Sequence, residues 1–166
     1  MQFKPGPIEG VIWRPLKKFN DQRGWLCELF RHDEIPEEFH PVMAYVSATE
    51  PGVARGPHEH VDQADYFCFI GPSDFKMFMW DNRPKSKTYG HVETRVVGAS
   101  EPMALVVPVG VVHAYKNVGR ELGIVLNAAN RLYKVWAERS RWTRFGTKIA
   151  PTVLSSWNET PSELAV

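Results

Sequence analysis

The chain has 166 residues, of which 43% are hydrophobic and 23% are charged, and its formal net charge is +1. This composition is typical of a globular protein, and the length suits one domain with a substantial core. The 20 Lys and Arg residues are balanced by 19 Asp and Glu residues without any block of like charge, so nothing favours a nucleic-acid partner.

The cysteines and the apolar segments indicate in which cellular compartment the protein is expected. Cys27 and Cys68 lie in apolar, strand-like segments, which is typical of buried free thiols in a reducing compartment. The first residues lack the apolar stretch of a signal peptide, and no apolar run approaches the length of a membrane span. We therefore expect a cytoplasmic protein with no membrane partner.

Short strand candidates separated by turn residues fill most of the chain. They are rich in Val, Phe and Ile, and the breaks between them carry Gly, Pro, Asn or Asp. Many strands at short spacing, without a long early helix, predict an all-β sandwich or closed barrel. In chain order the candidates are Val11–Arg14, Trp25–Phe30, Val42–Ala48, Gly52–His58, Asp65–Ile70, Phe75–Trp80, His91–Val97, Met103–Val107, Val112–Lys116 and Leu122–Asn127.

The segment after the last strand has a different pattern. Between Arg131 and Trp142, apolar and basic residues recur at helical spacing, which predicts a short helix packed on the barrel. We therefore expect one domain over residues 1–166, with the barrel at about 8–130 and a helical tail at about 131–166.

Three histidines are the strongest functional signal. His58 and His60 are two residues apart in a predicted strand, so their side chains should point to the same face. His113 follows in a distant strand made mostly of Val, Pro and Gly. Imidazole is a common metal ligand and a general base near neutral pH. Three of them in one pocket predict metal binding, proton transfer or both.

Their spacing resembles the two motifs of the cupin superfamily, here Gly52-x5-His58-x-His60-x4-Asp65 and Pro108-x-Gly-x2-His113-x3-Asn117. The resemblance implies a double-stranded β-helix, or jelly-roll, barrel whose mouth holds a divalent metal. It implies as ligands His58, His60, Asp65 and His113. Such donors suit Fe, Mn, Ni or Zn. Asp65 stands where the pattern usually has Glu, and it could instead face solvent. Asn117 is expected to cap a turn.

A closer resemblance covers more of the chain. Four segments are similar, in order and spacing, to the dTDP-4-dehydrorhamnose 3,5-epimerases: Phe19–Phe30, Gly52–His58, Trp80–Gly90 and Val107–His113. That family is itself cupin-like, so both resemblances imply the same barrel.

The resemblance also implies a reaction that needs no cofactor. In this family a histidine removes a proton next to a ketone, an arginine or similar group stabilises the enolate, and a tyrosine returns a proton. His58 matches the base and Arg55 the enolate partner. Arg55 precedes His58 by three residues, so it should point to the other face unless a bulge intervenes.

Other matched positions concern the substrate. Arg23 and Glu28 correspond to residues that contact the nucleotide, commonly from a neighbouring subunit, which implies a homodimer. His60 and His113 are expected to face the bound sugar or sugar nucleotide.

Several residues depart from the family pattern. The tyrosine position falls at Leu126, with Tyr115 or Tyr133 as substitutes that do not align. The aspartate that orients the base is missing, since the last aspartate is Asp81. The phosphate-binding lysine is replaced near Ala64 and Asp65.

These departures leave three hypotheses. The first is an epimerase or isomerase of a keto-sugar or sugar nucleotide, and the His58-x-His60 pair also fits the related 3,4-ketoisomerases. The second is a metal-dependent cupin enzyme, a dioxygenase or isomerase, that uses the His/His/Asp/His site. The third is a non-catalytic, sugar-binding cupin.

Overall fold

A computed structural model describes residues 3–132, and nearly all regular structure in this range is β-strand. One 3-10 turn, Glu37–Phe39, is the only helical element within the range. None of the described residues forms a helix long and apolar enough to cross a membrane. The strands are β1 Lys4–Pro5, β2 Ile12–Pro15, β3 Lys18–Asp21, β4 Gly24–Cys27, β5 Tyr45–Thr49, β6 Ala54–His58, β7 Asp65–Phe69, β8 Asp74–Asp81, β9 His91–Gly98, β10 Met103–Val107, β11 Val111–Asn117 and β12 Gly123–Asn127.

Two five-stranded sheets form the body of the fold. The first has the order β1-β9-β8-β11-β6, and the second has the order β2-β10-β7-β12-β5. The remaining strands, β3 and β4, pair only with each other as an antiparallel hairpin. This jelly-roll arrangement confirms the predicted all-β barrel. It also puts β6 at the end of one sheet and β5 at the end of the other.

The central strands are buried on both faces. In β7, Phe67 and Phe69 point into a core between the sheets, while Tyr66 and Cys68 point into a second cluster on the outer side. A strand that is covered on both faces has a continuous apolar sequence, and this strand could therefore be predicted from the sequence. Cys27 and Cys68 are both free thiols, as predicted, but only Cys68 is buried, whereas Cys27 is partly exposed. Burial raises the pKa of Cys68 to about 12.

Every predicted strand segment overlaps an observed strand, and Met103–Val107 agrees at both ends. The predicted segment Trp25–Phe30 stops early, at Cys27, because the Leu29 carbonyl accepts from the side chains of Arg14 and Tyr66 instead of a neighbouring strand. The sequence missed β1 and β3. The first has only two residues, and the second is mostly polar.

Asn117 caps a turn, as predicted, and also connects two strands. Its Oδ1 accepts from the Gly119 backbone N at 3.0 Å, and its Nδ2 donates to the Thr49 carbonyl at 2.8 Å. The predicted C-terminal helix, and Tyr133 with it, lies outside the described residues.

Candidate active site

A cavity of about 530 Å³ lies between the two sheets. Strands β6 and β11 of the first sheet and β5, β7 and β12 of the second contribute its lining side chains. The lining includes five of the residues singled out from the sequence, namely Arg55, His58, His60, Asp65 and His113. The fold thus brings together residues from two distant segments in one concave site.

An irregularity in β6 lets two of these residues share a face. His58 pairs with His113 of β11, and Arg55 pairs with Tyr115. Three steps on β6 therefore oppose two steps on β11, so β6 contains an extra residue. This bulge explains why Arg55 lines the cavity beside His58. Its Nε donates to Thr49 Oγ1 at 2.8 Å and its Nη2 to the Ala48 carbonyl at 2.6 Å.

Gly56 lies within the bulge and makes the close approach possible. Its φ is +99°, in the region that favours glycine, and a Cβ there would lie 2.8 Å from the His113 carbonyl oxygen. The backbone of β6 thus packs directly on the backbone of β11 where the two histidines pair.

Asp65 is the centre of a buried polar network. Its carboxylate is almost fully enclosed, at 2% exposure, so the alternative of a solvent-facing Asp65 is wrong. Oδ2 lies 3.0 Å from His60 Nε2 and 3.3 Å from His113 Nε2. Oδ1 accepts from Gln63 Nε2 at 2.9 Å and Asn127 Nδ2 at 3.0 Å. Burial alone would raise the pKa of Asp65, but the contacts with His113 and His60 outweigh it and hold the pKa well below its usual range.

The predicted metal ligands converge in part. One ligand atom each from His60, Asp65 and His113 lies within 4.8 Å of the others, whereas His58 is not a member of this group. His113 Nε2 is buried and lies against Asp65 Oδ2, at 3.3 Å. Two imidazoles and a carboxylate are a donor set that suits a divalent transition metal. The predicted set of four ligands is therefore reduced to three.

His58 has a different environment from the other two histidines. Burial lowers the pKa of its imidazole below 6.5, and the neighbouring His113 and His60 lower it further. The ring is therefore neutral near pH 7, which is the form that can accept a proton.

Two tyrosines also reach the cavity. Tyr115 OH lies 3.2 Å from Ser47 Oγ, and Tyr45 OH accepts from Asn127 Nδ2 at 2.8 Å. Leu126, the position assigned to the family's tyrosine, packs in the outer cluster instead. Strand side chains alternate, so the next residue, Asn127, is the one that faces the cavity.

Sequence reasoning missed Tyr45, Gln63 and Asn127. Tyr45 and Ser47 are two residues apart in β5, as are Val125 and Asn127 in β12, so strand alternation was the signal that could have found Tyr45 and Asn127.

Arg23 and Glu28 do not line the cavity of their own chain. The Arg23 side chain is 90% exposed and binds Asp21 at the tip of the β3–β4 hairpin. Glu28 follows the hairpin and lies 3.6 Å from the Arg31 guanidinium. Their predicted contact with a substrate therefore requires a second chain.

The double-sheet barrel and its histidine-lined cavity define a cupin-type enzyme fold. The chain belongs to the dTDP-4-dehydrorhamnose 3,5-epimerase family, whose model matches residues 5–149. Family membership places the protein among the sugar epimerases and isomerases, in agreement with the sequence analysis.

Individual relatives agree with this assignment. A probable low-salt glycan biosynthesis epimerase of Haloferax volcanii is 36% identical, covering 76% of this chain and 81% of its own. The spore coat polysaccharide biosynthesis protein SpsL of Bacillus subtilis is 37% identical, and the match covers 68% of this chain and 73% of SpsL. The high-resolution structure of RmlC from Streptococcus suis, in complex with dTDP-D-xylose, superposes with a TM-score of 0.68 at 21% identity, covering 81% of this chain and 75% of that one. This last likeness supports the common fold.

Proposed function

We propose that the protein epimerises a keto-sugar, carried as a sugar nucleotide, by removing a proton from a carbon next to the carbonyl. The observation that carries this proposal is the neutral imidazole of His58, which faces the cavity beside Arg55. A carbon next to a carbonyl loses its proton readily only when a base and a group that stabilises the enolate act together.

His58 is the proposed base. Its lowered pKa keeps it unprotonated at neutral pH, and its pairing with His113 fixes the position of its strand. Proton transfer to a positioned base contributes about 10²–10⁴-fold to a rate. The reaction needs no cofactor, because the electrons of the broken C–H bond return to carbon when a new proton arrives.

Arg55 is the proposed enolate partner. The hydrogen bonds from its guanidinium to Thr49 and Ala48 hold it in place on the cavity wall. A fixed positive charge stabilises a developing oxyanion without reorganisation during the reaction. His60 and His113 are proposed to contact the sugar from the same wall.

The sugar nucleotide is proposed from two kinds of support. The structure of RmlC from Streptococcus suis was solved in complex with dTDP-D-xylose. In this chain, Arg23 and Glu28 match nucleotide-contacting positions but lie away from their own cavity. We therefore propose a homodimer in which each hairpin supplies these residues to the partner's substrate. Exposed apolar side chains on the hairpin, among them Phe19, Trp25 and Leu26, are consistent with a covered surface.

A second candidate is a metal-dependent enzyme, and the compact group of His60, Asp65 and His113 favours it. These three residues would hold the metal, which would supply Lewis-acid stabilisation of a substrate oxygen. The same distances also suit an imidazole–carboxylate network without metal, and this arrangement is sufficient for the epimerase.

One preparation tests both candidates. The protein is purified without a histidine tag, its metal content is measured, and it is then incubated in D₂O with a dTDP-4-keto-6-deoxyhexose. Deuterium incorporation next to the carbonyl, unchanged after treatment with a chelator, supports the epimerase. About one equivalent of bound transition metal and chelator-sensitive activity would support the second candidate. No exchange under either condition would overturn the epimerase proposal.

A further inference from the structure

The two sheets give the cavity two chemically distinct walls. His58 lies on β6, at the end of the first sheet, and the second sheet faces it across the cavity. Inverting a carbon requires that one proton leave from one side and another arrive at the opposite side. A donor for inversion should therefore come from β5, β7 or β12.

Few groups on the second wall can donate a proton. The two Asp65 oxygens are already occupied by Gln63, Asn127, His60 and His113. The Ser47 hydroxyl is a far weaker acid than a phenol, and it is paired with Tyr115. Among the described residues of this wall, the remaining candidate is Tyr45, whose side chain lines the cavity from β5.

Tyr115 has the wrong position for this role. It lies on β11, in the same sheet as His58 and directly beside Arg55 in register. Its ring packs edge to face against Phe69 and Phe75 in the core. Tyr115 is therefore a core residue, and its hydroxyl belongs to the same wall as His58.

The hydrogen bonds of Tyr45 leave its proton available. Asn127 stands directly opposite Tyr45 in the strand pairing. Asn127 Nδ2 donates to Asp65 Oδ1 at 3.0 Å, and the same nitrogen donates to Tyr45 OH at 2.8 Å. The phenol oxygen is therefore an acceptor in this bond, and no residue in the described part of the chain accepts the phenol proton. A donor aimed at the oxygen also stabilises the phenolate that remains after transfer.

We infer that Tyr45 is the catalytic proton donor of the epimerisation, acting across the cavity from His58. This inference rests on the proposed function. His58 takes the proton and the C–H electron pair forms the enolate, whose negative charge rests on the carbonyl oxygen. The carbonyl then re-forms while the carbon takes the Tyr45 proton on its other face. The resulting imidazolium and phenolate return to their starting forms by exchanging one proton through water.

The variant Tyr45→Phe separates proton removal from inversion. In D₂O with a dTDP-4-keto-6-deoxyhexose, we expect it to incorporate deuterium with retained configuration, because His58 can return a deuteron to the face it deprotonated. Formation of the inverted product, followed by NMR, should fall by about 10²–10⁴-fold. Tyr89→Phe is the matched control, since Tyr89 is exposed and lies outside the cavity, and it should keep the wild-type rate of inversion.

Two results would overturn the inference while leaving the proposed function intact. One is wild-type inversion by Tyr45→Phe. The other is that Tyr115→Phe shows deuterium exchange without inversion whereas Tyr45→Phe does not. Absence of exchange in the wild-type protein would instead overturn the proposed function, and this inference with it. The thermal unfolding midpoint of each variant shows that it is folded, and removing one oxygen from the half-exposed Tyr45 should shift it little.

Discussion

His58 and His113 stand directly opposite each other on β6 and β11, and their rings meet edge to face with centroids 6.0 Å apart. Burial lowers the pKa of His58 below its ordinary value of 6.5, and the neighbouring His113 lowers it further. The fold therefore favours the neutral form of the His58 imidazole, which is the form that can accept a proton.

The first prediction concerns the pH dependence of the rate. His58 must be neutral to act as a base, so kcat/KM should fall when pH drops through the pKa of this histidine. That pKa is lowered from 6.5, so the acid limb should have its midpoint below pH 6.5. Initial rates between pH 4.5 and pH 8 would locate it. A midpoint above pH 6.5 would contradict the proposed environment of His58.

The second prediction is that His58→Gln abolishes proton removal. The amide keeps similar polarity but cannot accept a proton, so deuterium exchange should fall by at least about 10²-fold. His32→Gln is the control, because His32 is exposed and lies outside the cavity. Exchange at the wild-type rate in His58→Gln, measured by NMR, would show that another residue is the base.

The third prediction concerns the buried network around Asp65. In Asp65→Asn the amide presents an NH₂ group to neighbours that are mostly donors, and His60 and His113 lose their negative partner. Breaking a buried pair in this way costs about 3–5 kcal/mol of unfolding free energy. Asp62→Asn, at an exposed position, should change stability little. Urea unfolding curves would measure both, and equal stability of the two variants would contradict the prediction.

The same variant has a defined pH signature. The pKa of Asp65 is lower in the folded chain than its ordinary value of 3.8, so its stabilising effect is full above that value. The effect is lost as pH falls through the folded pKa. The stability difference between the wild type and Asp65→Asn should therefore be constant above about pH 5 and shrink below pH 3.8.

The fourth prediction isolates the close approach of β6 to β11. Gly56 and Gly52 both have positive φ, at +99° and +75°, but only at Gly56 would a Cβ meet backbone atoms. Gly52→Ala should cost about 1–2 kcal/mol of unfolding free energy, from backbone conformation alone. Gly56→Ala should cost clearly more and should also lower kcat, because it separates His58 from His113. Equal unfolding midpoints for the two variants would contradict this.

Much of the fold could be predicted because its signals are local. Strands such as Met103–Val107 are buried on both faces and read as continuous apolar runs. The strand Lys18–Asp21 could not be found in this way, since it gains its partner from a hairpin and exposes polar side chains. The predicted ends of strands were less accurate where side-chain donors replace strand partners, as they do at the Leu29 carbonyl.

The site was predictable where it followed sequence spacing and not where it depended on contacts between strands distant in sequence. The spacing of His58, His60 and His113 was enough to place all three in one cavity. The enclosure of Asp65, by contrast, depends on Asn127, which lies 62 positions away and meets it only in the folded chain. The hydrogen bond between Tyr45 and Asn127, 82 positions apart, also forms only in the folded chain.

The extra residue in β6 has a consequence for comparing sequences. Because the bulge turns Arg55 toward the same wall as His58, the number of residues between the two is as decisive as their identities. A relative that lacks the extra residue would have its arginine and histidine two positions apart, and regular strand alternation would keep both on the cavity face. A sequence alignment that allows a one-residue gap between these two positions would therefore match equivalent active sites, whereas an ungapped alignment would misplace the arginine.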